Sequence, residues 1–214
     1  MEDPSTLSPA ADLGTVGYQD SLELQRGIVE RVRGRKIGDV LLFLDHPPVY
    51  TVGRGKKPEN YAGVEVTETE RGGDVTYHGP GQLVVYPIID LERNGINGVR
   101  NFVHLIEDVI IYSLRRSGFR GEVGDEPGIW VGGKKVASIG LAIRDRVSFH
   151  GLSVNISDRV LEGFRGINPC GLTPDTIGFV DIGREKLKDD LRMGFEEYLH
   201  PFTTVSPDFI YSMK

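Results

Sequence analysis

The segment from Arg71 to Gln82 is dense in glycine and runs directly into a stretch with the composition of a β-strand. It reads R-G-G-D-V-T-Y-H-G-P-G-Q, and the apolar run L-V-V-Y-P-I-I follows from residue 83. Glycine allows backbone to adopt positive φ and to approach a ligand without a Cβ in the way. Polar and ionisable side chains stand between these glycines. The segment therefore predicts a binding site lined partly by backbone.

Phosphate loops are the first alternative for a glycine-rich segment, and this one does not fit them. The pattern G-x-x-x-x-G-K-[ST] is absent, and a Rossmann G-x-G-x-x-G segment lies between a strand and a helix. Here Gly79-Pro80-Gly81 leads into a strand. Without a helix N-terminus the segment lacks the usual anion-binding dipole. Nucleotide binding is therefore not favoured.

Apolar periodicity along the chain predicts a single mixed α/β domain. Helices are predicted over 18–33, 101–116 and 184–199. Strands are predicted over 40–44, 49–52, 83–91, 128–131, 136–143 and 147–156, the last two as a hairpin. Residues 1–11 contain proline and serine and are predicted to be a flexible N-terminal tail. The remaining 12–214 then form one domain, a size that suits a single hydrophobic core.

Charge and terminal sequence exclude several classes of function. The net charge of −6 argues against nucleic acid as the main partner. The N-terminus lacks the basic and apolar segments of a signal peptide, and no apolar run approaches a membrane span, so a cytoplasmic protein is expected. Two clusters of basic residues are compatible either with a solvated surface or with docking sites for an acidic partner. They comprise Arg31, Arg33, Arg35 and Lys36, and Arg54, Lys56 and Lys57.

Cys170 is the single cysteine of the chain, which excludes an internal disulfide. A lone cysteine often serves as a small buried hydrophobe. Here Pro169 and Gly171 flank it, which favours a shaped loop over a packed strand. A thiol reacts as thiolate, and a nearby cation promotes that form. Lys134 and Lys135, in G-G-K-K-V-A, are the candidate cations.

The histidines indicate a functional site less strongly than the cysteine and the lysines do. His78 and His150 each precede a glycine, which is typical of a loop residue but is also compatible with a pocket. No H-x-x-H or H-E-x-x-H spacing occurs, so no metal site is expected.

Several of these segments together resemble the lipoyl(octanoyl) transferase family. The matching pieces follow the order of the family and span about residues 12–200: H-P-P-V-Y-T-V-G-R from residue 46, the run 71–82, K-V-A-S-I-G from residue 135, H-G-L-S-V-N from residue 150, and P-C-G from residue 169. The resemblance implies a mixed β-sheet flanked by helices, similar to the catalytic domain of biotin and lipoate protein ligases.

The resemblance also implies an activity. An octanoyl group would pass from octanoyl-acyl carrier protein to Cys170 as a thioester, and then to a lysine of apo lipoyl domains. The acceptors would be the lipoyl domains of 2-oxoacid dehydrogenase complexes and the glycine cleavage H protein. Lys135 would stabilise the thiolate as ammonium and accept a proton as free amine. No ATP, metal or other cofactor is expected.

Substrate-binding residues are implied in three stretches of the chain. They are Arg71, Gly72, Gly73, Asp74, Val75, Thr76, Tyr77 and His78; Ser138, Ile139 and Gly140; and Gly151, Leu152 and Ser153. Two other functions remain open at this point. One is an ATP-dependent lipoate–protein ligase on the same fold, and the other is a non-catalytic module that binds an acyl carrier.

Overall fold

The computed structural model describes residues 7–213, apart from the side chain of Cys170. Its strands are β1 (Pro9–Thr15), β2 (Val40–Asp45), β3 (Val49–Val52), β4 (Thr67–Glu68), β5 (Val75–His78), β6 (Gln82–Ile88), β7 (Glu122–Val123), β8 (Gly128–Val131), β9 (Lys134–Arg144), β10 (Val147–Asn155) and β11 (Thr203–Thr204). Its α-helices are α1 (Tyr18–Arg33), α2 (Gly98–Arg116), α3 (Leu161–Phe164), α4 (Arg184–Tyr198) and α5 (Pro207–Tyr211).

These strands form a large mixed sheet and a small one. The eight-stranded sheet has the order β11-β1-β2-β6-β10-β9-β8-β7, and the three-stranded sheet has the order β4-β3-β5. In the large sheet β1 runs parallel to β2 and β11, and the other pairs are antiparallel. The mixed α/β architecture expected from the sequence is therefore confirmed.

Each face of the large sheet has its own core. One face packs against α2 and α4 through side chains such as Phe102, Leu191 and Phe195. The opposite face packs against α1, where Leu24 and Ile28 are fully buried. The small sheet forms a third cluster with the segment 160–177. Tyr18 of α1 and Val75, Thr76 and His78 of β5 line the cavity described below.

The predicted helices and most predicted strands agree with the observed ones, with several differences. The strand predicted over 83–91 ends at Ile88, β9 begins two residues earlier than predicted, at Lys134, and β5 lies within the glycine-rich segment, where no strand is predicted. Helix α2 begins at Gly98, three residues before the predicted start, because the Asn97-Gly98 turn leads directly into its first turn. Residues 9–11 were assigned to a tail but begin β1, where Ala10 and Ala11 are buried and pair with β2. Proline is tolerated as the first residue of a strand, as Pro9 is here. Residues 1–6 lie outside the described part of the chain.

Candidate active site

A cavity of about 250 Å³ lies between the large sheet and the loop that leads into β5. Its floor is made of the small residues Ser138 and Gly140 of β9 and Gly151 and Ser153 of β10. Gly151 pairs with Gly140, and Ser153 pairs with Ser138. Because glycine or serine occupies these four adjacent floor positions, a channel remains open along the strands. An extended acyl chain would need such a channel.

Most residues that the sequence singled out for substrate binding line this cavity. They are Arg71, Gly72, Gly73, Asp74, Val75, Thr76, His78, Ser138, Ile139, Gly140, Gly151, Leu152 and Ser153. Tyr77 alternates to the other face of β5, where its ring packs against Tyr50 and Phe164. Tyr77 therefore packs on the face of the small sheet that is turned away from the cavity.

Arg71 holds the wall of the cavity in shape. Its guanidinium donates to the carbonyl oxygens of Thr51 at 2.8 Å, Asp74 at 2.8 Å and Gly72 at 2.9 Å. The Gly72 N–H donates to the carbonyl of Leu141 at 2.8 Å and so attaches the loop to β9. Gly140 leaves room for the Arg71 side chain, because a Cβ at position 140 would make a tight contact, 3.1 Å from Arg71 Cδ.

A β-bulge directs Lys135 into the cavity. The pairing of β8 with β9 shifts register between Ile129 and Trp130, so that Ile129 pairs with Ala137 but Trp130 pairs with Lys135. Val136 and Ala137 consequently both face the core beneath α2 and α4. Bulges re-aim side chains in this way. Lys135 is thereby placed on the same face as Ser138, and it lines the cavity.

The Lys135 side chain is buried and closely enclosed. It is 5% exposed, and its Nζ lies 4.7 Å from the centre of the Trp130 ring. Gly128 makes room for it, since a Cβ at that position would lie 2.9 Å from Lys135 Cε. Lys134, by contrast, is exposed and donates to the carbonyl of Asp175. The structure thus separates the two lysines that the sequence left as alternatives.

The turn that contains Cys170 borders the same cavity. Residues Pro169–Gly171 form one 3₁₀ turn, and Pro169 lines the cavity together with Lys135. The Asn168 N–H donates to the carbonyl of Asn60 at 2.8 Å, and Asn60 in turn bonds the Asp74 carboxylate. The cysteine turn is therefore tied to the glycine-rich wall. The Cys170 side chain itself lies outside the described atoms.

The regular pairing of β10 with β6 ends at Leu152 and Val85, two residues short of His150 and Pro87. Proline has no N–H to donate to the sheet. The Ser148 hydroxyl donates to the Pro87 carbonyl at 2.6 Å, and His150 adopts φ 56°. The His150 N–H donates instead to Gln25 Oε1 at 2.7 Å, and its ring lies 3.4 Å from the Tyr18 hydroxyl. His150 therefore faces α1 and the cavity.

Three histidines near the cavity are neutral because they are buried. Burial, opposed by the Glu70 carboxylate, lowers the pKa of His150 to about 4. Burial, with His46 close by, lowers the pKa of His78 to about 3. Burial also lowers the pKa of His46.

These histidines should make the protein less stable in mild acid. Above pH 6.5 the imidazoles are neutral in both states, and stability does not depend on them. Between pH 6.5 and 5 the unfolded chain takes up protons that the native rings refuse, so the free energy of unfolding should fall by up to about 1.4 kcal/mol per pH unit per histidine. Urea titrations followed by circular dichroism measure this slope. His78→Phe should lower this slope by the share of one histidine, up to about 1.4 kcal/mol per pH unit. A slope of zero in the wild type would contradict the lowered pKa values of the buried histidines.

Several residues of the site carried little signal in the sequence. Trp130 and Gly128 enclose Lys135, and Tyr18 lines the cavity from the first turn of α1. Pro87 stands within an apolar strand pattern. In the sequence it was the one indication that the hydrogen bonds between β6 and β10 are interrupted near His150.

Within residues 7–213 the structure contains no cluster of three or more side chains suited to a metal ion. In that same part of the chain no helix is long and apolar enough to cross a bilayer.

Comparison with known proteins places the chain in a family. The model of the lipoyl protein ligase A/B catalytic domain matches residues 17–179. An octanoyltransferase of Geobacter metallireducens is 41% identical over 187 residues, which cover 85% of this chain and 86% of that protein. The mitochondrial octanoyltransferase LIP2 of Arabidopsis thaliana is 37% identical over 211 residues, covering 94% and 86%.

Solved structures show the same fold at low sequence identity. Lipoate-protein ligase A bound with ATP superposes with a TM-score of 0.75 at 16% identity, covering 97% of this chain and 92% of that one. The biotin acetyl coenzyme A carboxylase synthetase of Helicobacter pylori superposes with a TM-score of 0.54 at 10% identity, covering 90% and 75%. These structures show the fold. The matched domain and the identities to its relatives show that this chain belongs to the lipoyl(octanoyl) transferase family.

Proposed function

We propose that this protein transfers an octanoyl group from octanoyl-acyl carrier protein to a lysine of an apo lipoyl domain, through a thioester on Cys170. The observation that carries the proposal is the convergence of three features on one cavity. The cysteine turn and the buried Lys135 meet there, and the floor is built from small residues. Relatives named octanoyltransferase, 41–44% identical over most of the chain, support the choice of acyl group.

In the first step the Cys170 thiolate attacks the carbonyl carbon of the carrier thioester. The carbon–sulfur bond to the carrier breaks, and the departing thiolate takes a proton from the Lys135 ammonium. One thioester replaces another, so the step needs no external energy. A buried ammonium is stable only with compensating groups, and a thiolate beside it would supply one. The Trp130 ring face supplies another.

In the second step the amine of the acceptor lysine attacks the thioester carbon on Cys170. A carbon–nitrogen bond forms, the carbon–sulfur bond breaks, and Cys170 regains its thiolate. The proton lost by the amine nitrogen passes to the free Lys135 amine, which restores the ammonium. The amide product is more stable than the thioester, and so this step proceeds without ATP.

An ATP-dependent ligase on this fold is the main rival, and nucleotide dependence separates the two. Purified protein is incubated with octanoyl-carrier protein and an apo lipoyl domain, and the intact mass of the lipoyl domain is recorded. We expect an added octanoyl group without nucleotide and no gain from ATP. Modification that requires ATP and free acid would favour the ligase. A carrier that binds without any transfer would favour a non-catalytic module.

One of the two basic clusters lies next to the site and suits an acidic carrier protein. The Arg54 N–H donates to the Arg71 carbonyl at 2.9 Å, and the Lys57 N–H donates to Asp74 Oδ1 at 2.9 Å. The exposed side chains of the 54–57 loop therefore stand beside the cavity wall. Their cations offer electrostatic attraction to an acidic partner.

The other basic cluster lies away from the cavity. Arg31 and Arg33 lie in the last turn of the 16-residue helix α1, and Arg35 and Lys36 follow it. The first residue of this helix, Tyr18, lines the cavity, and the helix is about 24 Å long. Arg33 in this cluster pairs with Glu30 and Asp145, just as Lys56 in the other cluster pairs with Glu68. This cluster therefore serves as a matched control for surface charge.

Reversing charge on the 54–57 loop should slow acylation by the carrier protein. For Arg54→Glu with Lys57→Glu we expect a loss of about tenfold at low ionic strength, with a smaller loss in salt, because the attraction is screened. Acylation by a small octanoyl thioester should be unchanged. Arg35→Glu with Lys36→Glu should leave both rates near wild type. Equal losses in the two double variants would exclude a specific docking role for this loop.

A further inference from the structure

Four groups are hydrogen-bonded in series from the cavity to the strand that carries Lys135. His78 Nδ1 lies 2.7 Å from Gln82 Oε1. Gln82 Nε2 donates to Asn155 Oδ1 at 2.9 Å, and Asn155 Nδ2 donates to the Gly178 carbonyl at 2.8 Å. The Gly178 N–H donates to the Lys135 carbonyl at 2.9 Å. This series connects the His78 ring with the backbone at Lys135.

The direction of this series fixes the tautomer of His78. A backbone carbonyl can only accept, so Asn155 must present its amide nitrogen to Gly178 and its oxygen to Gln82. Gln82 then presents its nitrogen to Asn155 and its oxygen to His78. His78 must therefore donate from Nδ1. Burial lowers the pKa of His78 to about 3, so the ring is neutral near pH 7 and Nε2 carries a lone pair.

The position of the ring leaves the Nε2 edge toward the cavity. His78 lines the cavity, and its Nδ1 is turned into the wall toward Gln82. The Tyr18 ring stacks on it at 6.1 Å, and the His46 ring meets it edge-on at 5.8 Å. His46 differs because both its nitrogens are engaged, at 2.7 Å from the Val16 carbonyl and at 2.7 Å from the Tyr86 hydroxyl. Of the two, only His78 presents an acceptor to a ligand.

Among the reacting groups of the two substrates, one carries hydrogens that an acceptor of this kind can bind. The thioester carbonyl and the thiolate are acceptors themselves and gain nothing from a second lone pair. The incoming amine of the second step carries N–H bonds. Resting on the proposed function, we propose that His78 Nε2 accepts a hydrogen bond from the acceptor lysine and aims its nitrogen at the thioester on Cys170. His78 is then a catalytic residue of the second step alone.

The proton balance assigns different roles to His78 and Lys135. The amine keeps one N–H on His78 while its nitrogen bonds to the acyl carbon. The proton that it loses goes to Lys135, since a ring with so low a pKa is too weak a base to keep it. His78 is therefore unchanged in protonation through the cycle, and Gln82 and Asn155 hold its tautomer throughout.

The test measures the two half-reactions separately by rapid quench and intact mass. Acylation is followed on mixing with octanoyl-carrier protein, and transfer is followed by adding apo lipoyl domain to the isolated acyl-enzyme. For His78→Phe we expect the loss in transfer to exceed the loss in acylation by about tenfold or more. His78→Gln, which retains an acceptor oxygen, should recover part of the transfer rate. The pH profiles of transfer should show the same apparent pKa in wild type and His78→Gln.

Gln82→Met provides a second variant that leaves the His78 ring in place. Nitrogen-15 NMR should show the Nδ1–H tautomer in wild type and a mixture in this variant, with transfer slowed more than acylation. Equal loss in both half-reactions, or none in either, would overturn the role of His78. Failure of wild type to form any acyl-enzyme would overturn the proposed function and this inference together.

Discussion

Replacing Cys170 with alanine is expected to abolish the acyl-enzyme and to reduce octanoyl transfer by at least about 10³-fold, because no other side chain of the chain carries a thiol. Wild type mixed with octanoyl-carrier protein should gain the mass of one octanoyl group, and hydroxylamine should remove it. Cys170→Ala should gain nothing.

Thermal melting checks that the Cys170 variants are folded. Cys170→Ser, which is close to isosteric with cysteine, is compared with Cys170→Ala. The turn at Pro169–Gly171 is held by backbone hydrogen bonds from Asn168, Gly171 and Leu172, so loss of the sulfur should leave it in place. Transfer by Cys170→Ala at a rate near wild type would exclude the covalent route.

Lys135→Met is expected to slow acylation by about 10²- to 10⁴-fold, the range of a lost acid–base group. Methionine fills a similar volume against Trp130, and the bulge at Val136 stays in the backbone, so the fold should persist. Rapid-quench measurement of acylation by intact mass gives the rate.

The adjacent Lys134 offers a matched control for this substitution. Its side chain is exposed and bonds the Asp175 carbonyl at the surface. Lys134→Met should acylate within about threefold of wild type. Equal effects of the two substitutions would indicate a loss of general positive charge and would remove Lys135 from the chemistry.

Local signals in the sequence led to residues that line the cavity. Glycine density placed a backbone-lined wall at 71–82, and apolar periodicity placed helix α1 over the observed residues. Pro169 and Gly171 predicted a shaped turn around Cys170, which the structure has as a 3₁₀ turn.

Which of Lys134 and Lys135 enters the cavity depends on how β8 pairs with β9. Regular alternation places Lys135 with Ala137 and Leu141, on the face toward α2. The bulge opposite Ile129 and Trp130 reverses that assignment, and it arises from contacts of β8 with β9 that no local pattern records. For His150 the sequence left a loop residue and a pocket residue open, and the structure places it in β10 with its side chain lining the cavity.

The role of His78 likewise depends on residues far apart in the chain. Gln82 lies within the glycine-rich segment, but Asn155 and Gly178 come from β10 and the loop beyond it. Sequence alone placed a histidine beside a glycine. The direction of the hydrogen bonds, and hence the tautomer, follows only from the assembled site.

The kinetic competence of the acyl-enzyme tests the central claim most directly. Wild type is acylated with isotopically labelled octanoyl-carrier protein, freed of donor, and mixed with apo lipoyl domain in the absence of nucleotide. We expect the label to leave the enzyme and appear on the acceptor lysine at a rate at least equal to the steady-state turnover. Label that stays on the enzyme, or moves more slowly than turnover, would contradict a thioester intermediate on Cys170.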